Sequence, residues 1–429
     1  MGRFAHIADC HLGAWRDQKL RELNLIAFEN AFDKCMQENV DFIIISGDLF
    51  DATLPDLALV QRAVEKIKEV KDRGIQIYLT YGSHDFAPNS VSMVDVLKSA
   101  GLFQKVVDAK IIDEKLQLKI FADTKTGAKI AGLSGRKLGL EKKYFEILDT
   151  TSLEKEMGFK IFVFHNAITE IRPWGASYPD SVPLSYFPKG FSYYAGGHIH
   201  RKIEQNVKDY GLVAYPGPLF GATFTDLEDT AQGEKRGFFI IDFDGQITKT
   251  RFMEVKVSEV IFQEINADKK SARQVDDALV KIAKDSEVKN KIVLLRVSGT
   301  LSTGRPADIN FSGTKQILVE KGAVFASINH YGLSTEERID VRIKGENRQE
   351  IESKILTEII GSFKVDPAIK DDKLKKNLEE SLTSTNGIAL ANNLLNSLKM
   401  EQKEGETKRD FEDRVLKDIL HVLGLEAYK

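Results

Sequence analysis

Seven side chains between Asp9 and His200 have the chemistry of a divalent-metal site: Asp9, His11, Asp48, His84, His165, His198 and His200. Imidazole nitrogen and carboxylate oxygen in one mixed set suit manganese and related ions. Two such ions about 3.5–4 Å apart can clamp a phosphodiester while a bound water becomes hydroxide, provided that one carboxylate holds both ions. Taken singly, each such histidine is more often a hydrogen-bonded, partly buried ring than a metal ligand. Their joint placement favours ligation, because five of the eight histidines, His11, His84, His165, His198 and His200, stand at the ends of short apolar runs. In an extended Asp-x-His or His-x-His, alternate side chains share a face. Asp9 with His11, and His198 with His200, are therefore expected to look into one cavity. The same alternation turns Cys10 away as an inert buried thiol. Gly82, Gly196 and Gly197 are expected to allow sharp turns that bring backbone close to the ions.

The elements that must position these residues follow from the hydrophobic pattern. The run RFAHIA (3–8) reads as a strand ending at Asp9-Cys10-His11, and Leu20, Leu23, Ala27, Phe32 and Cys35 recur at helical spacing over 19–38. The run DFIIIS (41–46) has the unbroken apolar centre of a strand covered on both faces, and it leads straight into Gly47-Asp48. A helix over about 56–72 precedes the strand IQIYLT (75–80), which ends at Gly82-Ser83-His84-Asp85. Further on, KIFVF (160–164) ends at His165-Asn166, and FSYYA (191–195) ends at Gly196-Gly197-His198-Ile199-His200. Strand, polar tip, helix and strand in succession is the pattern of a layered α/β fold with its active residues at the carboxyl ends of strands.

Composition sets the frame. A chain of 429 residues exceeds what one hydrophobic core usually serves, so two or three domains are expected. A hydrophobic share of 42% with 29% charged residues is that of a soluble globular protein. The net charge of -3 gives no global attraction to nucleic acid, so any DNA binding must come from local basic patches or from metal ions. Cys10 and Cys35 are too few for a disulfide framework and exclude a thiolate zinc site. No run approaches the roughly 20 apolar residues of a membrane span, and the first residues lack a signal-peptide pattern. No membrane association and a cytoplasmic location are expected.

The segments ADCHLG, SGDLFD, YGSHDF, FHNAIT and GGHIH, in this order, resemble the five phosphoesterase motifs of the calcineurin-like metallophosphoesterases. More narrowly, they resemble the meiotic recombination eleven / SbcD family of DNA double-strand-break repair nucleases, archaeal type. GRKLGLEKKYFE and YPGPLFGATFTDLED are also similar to archaeal members. The likeness is strong over 1–254 and looser beyond.

The resemblance implies a layered α/β/β/α sandwich over 1–254, a smaller α/β capping domain over 255–364, and a linker with a helical partner-binding tail over 365–429. It implies a DNA nuclease, exonuclease and endonuclease, using two Mn2+, with Mg2+ as a weaker substitute. Its implied partners are DNA ends, a coiled-coil ABC-type ATPase and a second copy of the chain, in a cytoplasmic, nucleoid-associated setting. Carried over by motif, Asp9, His11 and His200 hold one ion, His165 and His198 the other, and Asp48 bridges both. Ser83 stands where the family usually supplies an asparagine, and its hydroxyl is a shorter and weaker ligand. His84 matches the catalytic histidine that assists the leaving oxygen. Asp51 replaces a second histidine found in some members; it can orient a ligand but cannot donate as an imidazolium would. Asp85 and Asn166 are expected beside the ligands rather than on the metals.

Arg136, Lys137, Arg172, Arg201 and Arg305 are the expected phosphate contacts, although charged residues of this kind more often face only solvent. His6, His330 and His421 lie outside the motifs and are expected to be structural. Beyond residue 255 the pattern predicts a small α/β unit: strands over 260–265, 292–297 and 323–329, and helices near 271–284, 313–321 and 347–362. In the tail, Leu390, Leu394, Leu395 and Leu398 form one apolar face and Phe411, Leu416, Ile419 and Leu423 another, which two short helices cannot bury alone. The resemblance assigns such a helical pair to the base of the ATPase coiled coil. Two other functions stay open. One is a small-molecule or phosphoprotein phosphoesterase of the same fold, although SGDLFDAT lacks the arginine that phosphoprotein phosphatases carry after this element. The other is a catalytically weak scaffold that only recruits the ATPase, a reading kept alive by Ser83 and Asp51 and opposed by His84.

Overall fold

The computed structural model describes residues 1–86, 91–136, 140–171, 173, 178–335, 380–381, 387–400 and 408–423. Contacts divide the chain into two units, Met1–Thr335 and Glu336–Lys429. The first unit opens on β1 (Gly2–Ile7), α1 (Gln18–Gln37), β2 (Phe42–Ser46), α2 (Leu57–Asp72), β3 (Gln76–Thr80), α3 (Met93–Ser99) and a short β4 (Gln104–Lys105). A hairpin of β5 (Ala109–Ile112) and β6 (Lys115–Leu118) leads to β7 (Phe121–Ala122), β8 (Lys129–Leu133), α4 (Lys142–Glu146), α5 (Thr150–Lys155) and β9 (Lys160–His165). There follow β10 (Tyr193–Gly197), β11 (Ile203–Val207), β12 (Gly211–Tyr215), α6 (Phe224–Ala231), β13 (Gly237–Asp244) and β14 (Gln246–Glu254). The helices begin where a side chain meets free backbone N–H groups: Asp17 accepts from Lys19 and Leu20 ahead of α1, and Asp56 from Ala58 and Leu59 ahead of α2.

These strands form two six-stranded sheets, ordered β14-β13-β1-β2-β3-β4 and β11-β12-β10-β9-β8-β7. β1 to β4 run parallel, as do β8, β9, β10 and β12. The sheets face each other across an aromatic-rich layer that includes Phe4, Phe42, Tyr78, Tyr193, Phe239 and Phe243. α1 and α2 cover the outside of the first sheet, and Phe145 of α4 and Leu153 of α5 pack on the outside of the second. The result is the α/β/β/α sandwich that the resemblance implies. Between the sheets Ser46 Oγ donates to the Ala195 carbonyl at 3.0 Å and lies 2.9 Å from His6 Nε2, while His6 Nδ1 lies 2.9 Å from Tyr193 Oη. Burial holds the His6 ring neutral by pushing its pKa down to about 3, so one nitrogen donates to Ser46 and the other accepts from Tyr193. His6 is a structural pin beneath the metal-site loops.

A third sheet follows, with β15 (Glu259–Asn266), β16 (Lys291–Leu301) and β17 (Phe325–Asn329) side by side and β18 (Leu333–Thr335) paired to β16. α7 (Ala272–Asp285) and α8 (Phe311–Glu320) cover one face of it, closing a separate core around Val275, Leu279, Leu295 and Leu318. Its other face meets α6: Phe224 stacks on Phe325, and Glu228 pairs with Arg296. In the second unit α9 (Gly387–Leu398) and α10 (Lys408–Val422) pack on each other, with Ser397 Oγ donating to Asp418 at 2.6 Å. Leu395, Leu398 and Leu416 remain exposed, whereas Leu390, Leu394, Phe411, Ile419 and Leu423 are partly covered. The helix expected near 347–362 and the rest of 336–379 lie outside the described residues.

The layer between the sheets should dominate stability. Phe42 is fully buried, parallel to Phe4 at 5.1 Å and edge-on to Tyr78 at 5.6 Å. Phe42→Ala is expected to cost about 3–5 kcal/mol. That corresponds to roughly 10 °C in thermal midpoint, read by calorimetry or circular dichroism; an unchanged midpoint would contradict this packing.

Candidate metal centre

Every residue of the expected metal set lies at the carboxyl end of a parallel strand. Asp9 and His11 follow β1, Asp48 follows β2, Ser83 to Asp85 follow β3, His165 ends β9, and His198 and His200 follow β10. The means of convergence differs from the pleat alternation expected of Asp-x-His and His-x-His. β1 stops at Ile7 and β10 at Gly197, and Asp9, His11, Asp48 and His198 have φ of 51°, 42°, 50° and 85°. Side chains in this left-handed region cost of order 1–3 kcal/mol each and persist where surrounding structure over-determines them. Left-handed turns aim the ligand side chains. Gly82 and Gly197 also act otherwise than expected, since neither has a positive φ. A Cβ on Gly82 would stand 2.0 Å from Asp48 Oδ1, and one on Gly197 2.0 Å from the Ser46 carbonyl oxygen, so both serve close approach.

Three groups of potential ligands lie together: Asp9, His11 and His200; His11, Asp48 and His84; and Asp9, Asp48 and His165. The hydrogen bonds around them show which atoms face inward. His11 Nδ1 lies 3.0 Å from Asp51 Oδ1 and His200 Nδ1 lies 3.0 Å from Asp226 Oδ2, so each ring gives its Nδ1–H to a carboxylate. Their Nε2 atoms then face each other at 3.2 Å. His165 Nδ1 donates to the Ser46 carbonyl at 2.8 Å, and its Nε2 lies 3.1 Å from Asp48 Oδ2 without hydrogen-bond geometry. Asp9 Oδ1 accepts from the His198 N–H at 2.8 Å, while its Oδ2 is buried without a partner. Acceptor atoms that face one another in this way repel unless a proton or a metal cation lies between them. The donor set therefore fits divalent cations. Asp48 stands at the junction, with Oδ2 3.1 Å from His165 Nε2 and 3.5 Å from His11 Nε2 while Oδ1 accepts from the His84 N–H.

The remaining candidates take distinct places. His198 stands next to the groups rather than within them, its ring 5.5 Å from that of His165 and 5.8 Å from that of Tyr178. Ser83 is partly exposed on the turn before His84. His84 is exposed, with Nδ1 2.8 Å from the Asp51 carbonyl oxygen and its ring edge-on to His11 at 4.8 Å. Asp51 thus serves twice, its side chain on His11 and its carbonyl on His84. Asp85 is fully buried and accepts from the backbone of Leu49, Phe50 and Gly82, binding the β2 and β3 tips together. Burial and the Asp48 charge push its pKa up to about 6. Asn166 is buried, Nδ2 donating to the Ala167 carbonyl and Oδ1 without a partner. Cys10 is buried as expected, its Sγ–H held protonated by burial and by the charge of Asp9.

Among the expected phosphate contacts, Arg201 is exposed and paired bidentately with Asp229. Arg305 is exposed, and Arg136 lies between the Phe86 and Tyr144 rings. Lys137 and Arg172 lie outside the described residues. Sequence reasoning missed Asp226, which holds His200 and also caps α6 in a box with Thr223. The T-x-x-D spacing signals the cap; nothing local signals the partnership with His200.

The electrostatics make a pH prediction. Burial alone would lower the His11 pKa, but the Asp51 hydrogen bond and the Asp48 and Asp9 charges raise it to about 9. His165 is likewise pushed down by burial and carried up to about 10 by Asp48, Asp9 and the Ser46 carbonyl. At neutral pH both rings are therefore protonated when no cation is bound, and a divalent ion must displace those protons. Divalent-ion uptake is expected to release protons at pH 7 and to tighten as pH rises towards 9. Calorimetry in buffers of different ionisation enthalpy measures the release, and pH-independent uptake without proton release would contradict the geometry.

Residues 2–202 match the calcineurin-like phosphoesterase family. A DNA double-strand break repair protein Mre11 from Methanocaldococcus jannaschii is 30% identical over 68% of this chain and 75% of its own length. The protein of the same name from Methanopyrus kandleri is 29% identical over 60% of this chain, which spans only 57% of that relative. A dimetal phosphatase structure from Danio rerio aligns with 59% of this chain and 99% of its own at 11% identity and a TM-score of 0.38. With its phosphoesterase motifs gathered at one end of two facing sheets and its similarity spread across three quarters of the Methanocaldococcus relative, the chain belongs to the Mre11 family of DNA double-strand break repair proteins.

Proposed function

We propose that this chain is a manganese-dependent DNA nuclease that hydrolyses phosphodiesters with two divalent ions. The observation that carries the reading is the convergence of Asp9, His11, Asp48, His165 and His200 on one another, with Asp9 Oδ2 and His165 Nε2 buried without a hydrogen-bond partner. In this reading Asp9, His11 and His200 hold one ion, His165 and His198 the other, Asp48 bridges, and Ser83 adds a weak oxygen to the second site. Mg2+ would substitute poorly. Bound ions would neutralise phosphate charge and lower the pKa of a water. With its Nδ1–H given to the Asp51 carbonyl, exposed His84 would present its other ring nitrogen to the leaving oxygen as general acid. Asp51 keeps both His11 and His84 in register.

The substrate is a DNA end, and the third sheet, with exposed Arg305, would cap it as part of a 255–364 domain. Exposed Leu395, Leu398 and Leu416 on the paired tail helices support docking to a coiled-coil ABC-type ATPase. A second copy would pack against Leu54, Leu57, Val91 and Val96, which are exposed around α2 and α3. Among the described residues no helix is long and apolar enough to cross a membrane; the role proposed is cytoplasmic and nucleoid-associated.

Purified protein with manganese is expected to cut single- and double-stranded DNA, with and without the ATPase. Hydrolysis of a simple phosphate ester but not of DNA would replace this reading with a small-molecule phosphoesterase, and no hydrolysis at all would leave a scaffold. His84→Gln should lower kcat by about 100-fold or more with metal content intact. Asp48→Asn should lose both ions by elemental analysis; unchanged stoichiometry would remove the bridge.

A further inference from the structure

Beside the metal centre, on the side of β3 and β8, lies a cavity of about 390 Å³ whose lining includes Tyr81, Phe86, Lys105, Arg136 and Tyr144. Its two cations are held by rings rather than by carboxylates. The Arg136 guanidinium lies 4.6 Å from the Phe86 ring and 4.4 Å from the Tyr144 ring, and Lys105 Nζ lies 4.0 Å over Tyr81. Both side chains are half-buried, and neither head group has an ion pair or hydrogen bond among the described residues. The one carboxylate in the lining, Asp95, is occupied by Tyr81 Oη at 2.6 Å and by the N–H and hydroxyl of Ser92 at 3.0 and 2.8 Å.

Two half-buried cations without acceptors repel each other and have lost part of their water, and an anion between them removes both costs. Burial pushes the Lys105 pKa down; the Asp95 charge opposes that, and the Lys98 and Arg136 charges add to it. Leu116 and Leu133 also line the cavity, so it suits an anion attached to an apolar body. Its position ties it to the metal centre. Tyr81 and Phe86 bracket the turn that carries His84, and Arg136 follows Gly135, where a Cβ would stand 2.7 Å from His165 Cδ2. The Gly135 N–H donates to the Tyr81 carbonyl at 2.8 Å, joining the two segments.

We propose that this cavity receives one unpaired nucleotide of the DNA strand, its phosphate between Lys105 and Arg136 and its base against Leu116 and Leu133, adjacent to the phosphodiester at the metal centre. The identity of the ligand rests on the nuclease reading above. An intact duplex cannot place a single base in such a cavity, so the site selects strands that are frayed or already unpaired.

The test uses the full chain stripped of metal with EDTA, so that bound ions cannot hold the phosphate. Calorimetric titrations compare 2′-deoxyadenosine 5′-monophosphate, deoxyadenosine and inorganic phosphate. The mononucleotide is expected to bind about ten-fold or more tightly than either fragment, and Lys105→Ala and Arg136→Ala each to weaken it by about ten-fold. Arg136→Lys keeps the charge without the planar stack and should recover only part of the loss; circular dichroism of each variant checks the fold. Phosphate binding as tightly as the mononucleotide would overturn the nucleotide assignment, and no mononucleotide binding, or binding indifferent to both substitutions, would overturn the site. DNA cleavage by the manganese-loaded wild type is scored separately: cleavage without mononucleotide binding removes the cavity and leaves the nuclease reading, whereas binding without cleavage does the reverse.

Discussion

The centre of this protein is an electrostatic conflict between acceptors. His11 and His200 each give one ring N–H to an aspartate, Asp51 or Asp226, and are left with Nε2 atoms 3.2 Å apart. His165 gives its Nδ1–H to Ser46 and turns Nε2 on Asp48 at 3.1 Å. Outer hydrogen bonds thus fix the tautomers, and the tautomers place lone pairs where only a positive charge can hold them together. Protons fill that role when metal is absent, which is why His11 and His165 are basic despite full burial. Asp48 stays ionised for the same reason: burial pushes its pKa up, but the His165 and His11 charges hold it well below the usual carboxylate range.

Maintaining such a conflict requires rigid surroundings. The two sheets supply them by bringing five strand ends to one edge and pinning them from below through His6, Ser46, Tyr193 and the Ala195 carbonyl. Asp9, His11, Asp48 and His198 are held in left-handed backbone that each would leave if free. Asp85 counters that tendency by clamping the N–H groups of Leu49, Phe50 and Gly82. Glycine contributes through absent atoms, since any side chain at Gly82 or Gly197 would displace Asp48 or the Ser46 carbonyl that orients His165.

α6 connects this centre to the third sheet. Asp226 at its start holds His200, and buried Arg236 donates to the His200 and Asp226 carbonyls. Two residues further along the helix Glu228 pairs with Arg296 of β16, and Phe224 stacks on Phe325 of β17. One short helix therefore carries both a metal-ligand support and the attachment of the neighbouring sheet. The Asp226 carboxyl, which burial would push up, is held well below its ordinary pKa by His200 and Arg236 and remains a full negative charge in that position.

Local sequence determined a good deal by itself. Unbroken apolar runs such as FIIIS marked buried parallel strands, the 3.6-residue spacing marked α1 and α2, and the placement of Asp9, His11, Asp48, His84, His165, His198 and His200 after those strands marked the chemistry. Those features depend on neighbouring residues, so they survive reading in one dimension. Tertiary structure alone decided how the ligands converge, because a left-handed φ at Asp9 or His198 is imposed by contacts with other strands and not by the residue itself. It alone showed that Arg201 is engaged by Asp229, and that Asp226 and Ser46 orient ligands 26 and 119 residues away. Partnerships across such separations carry no periodic or compositional trace; they exist only once the sheets have closed on each other.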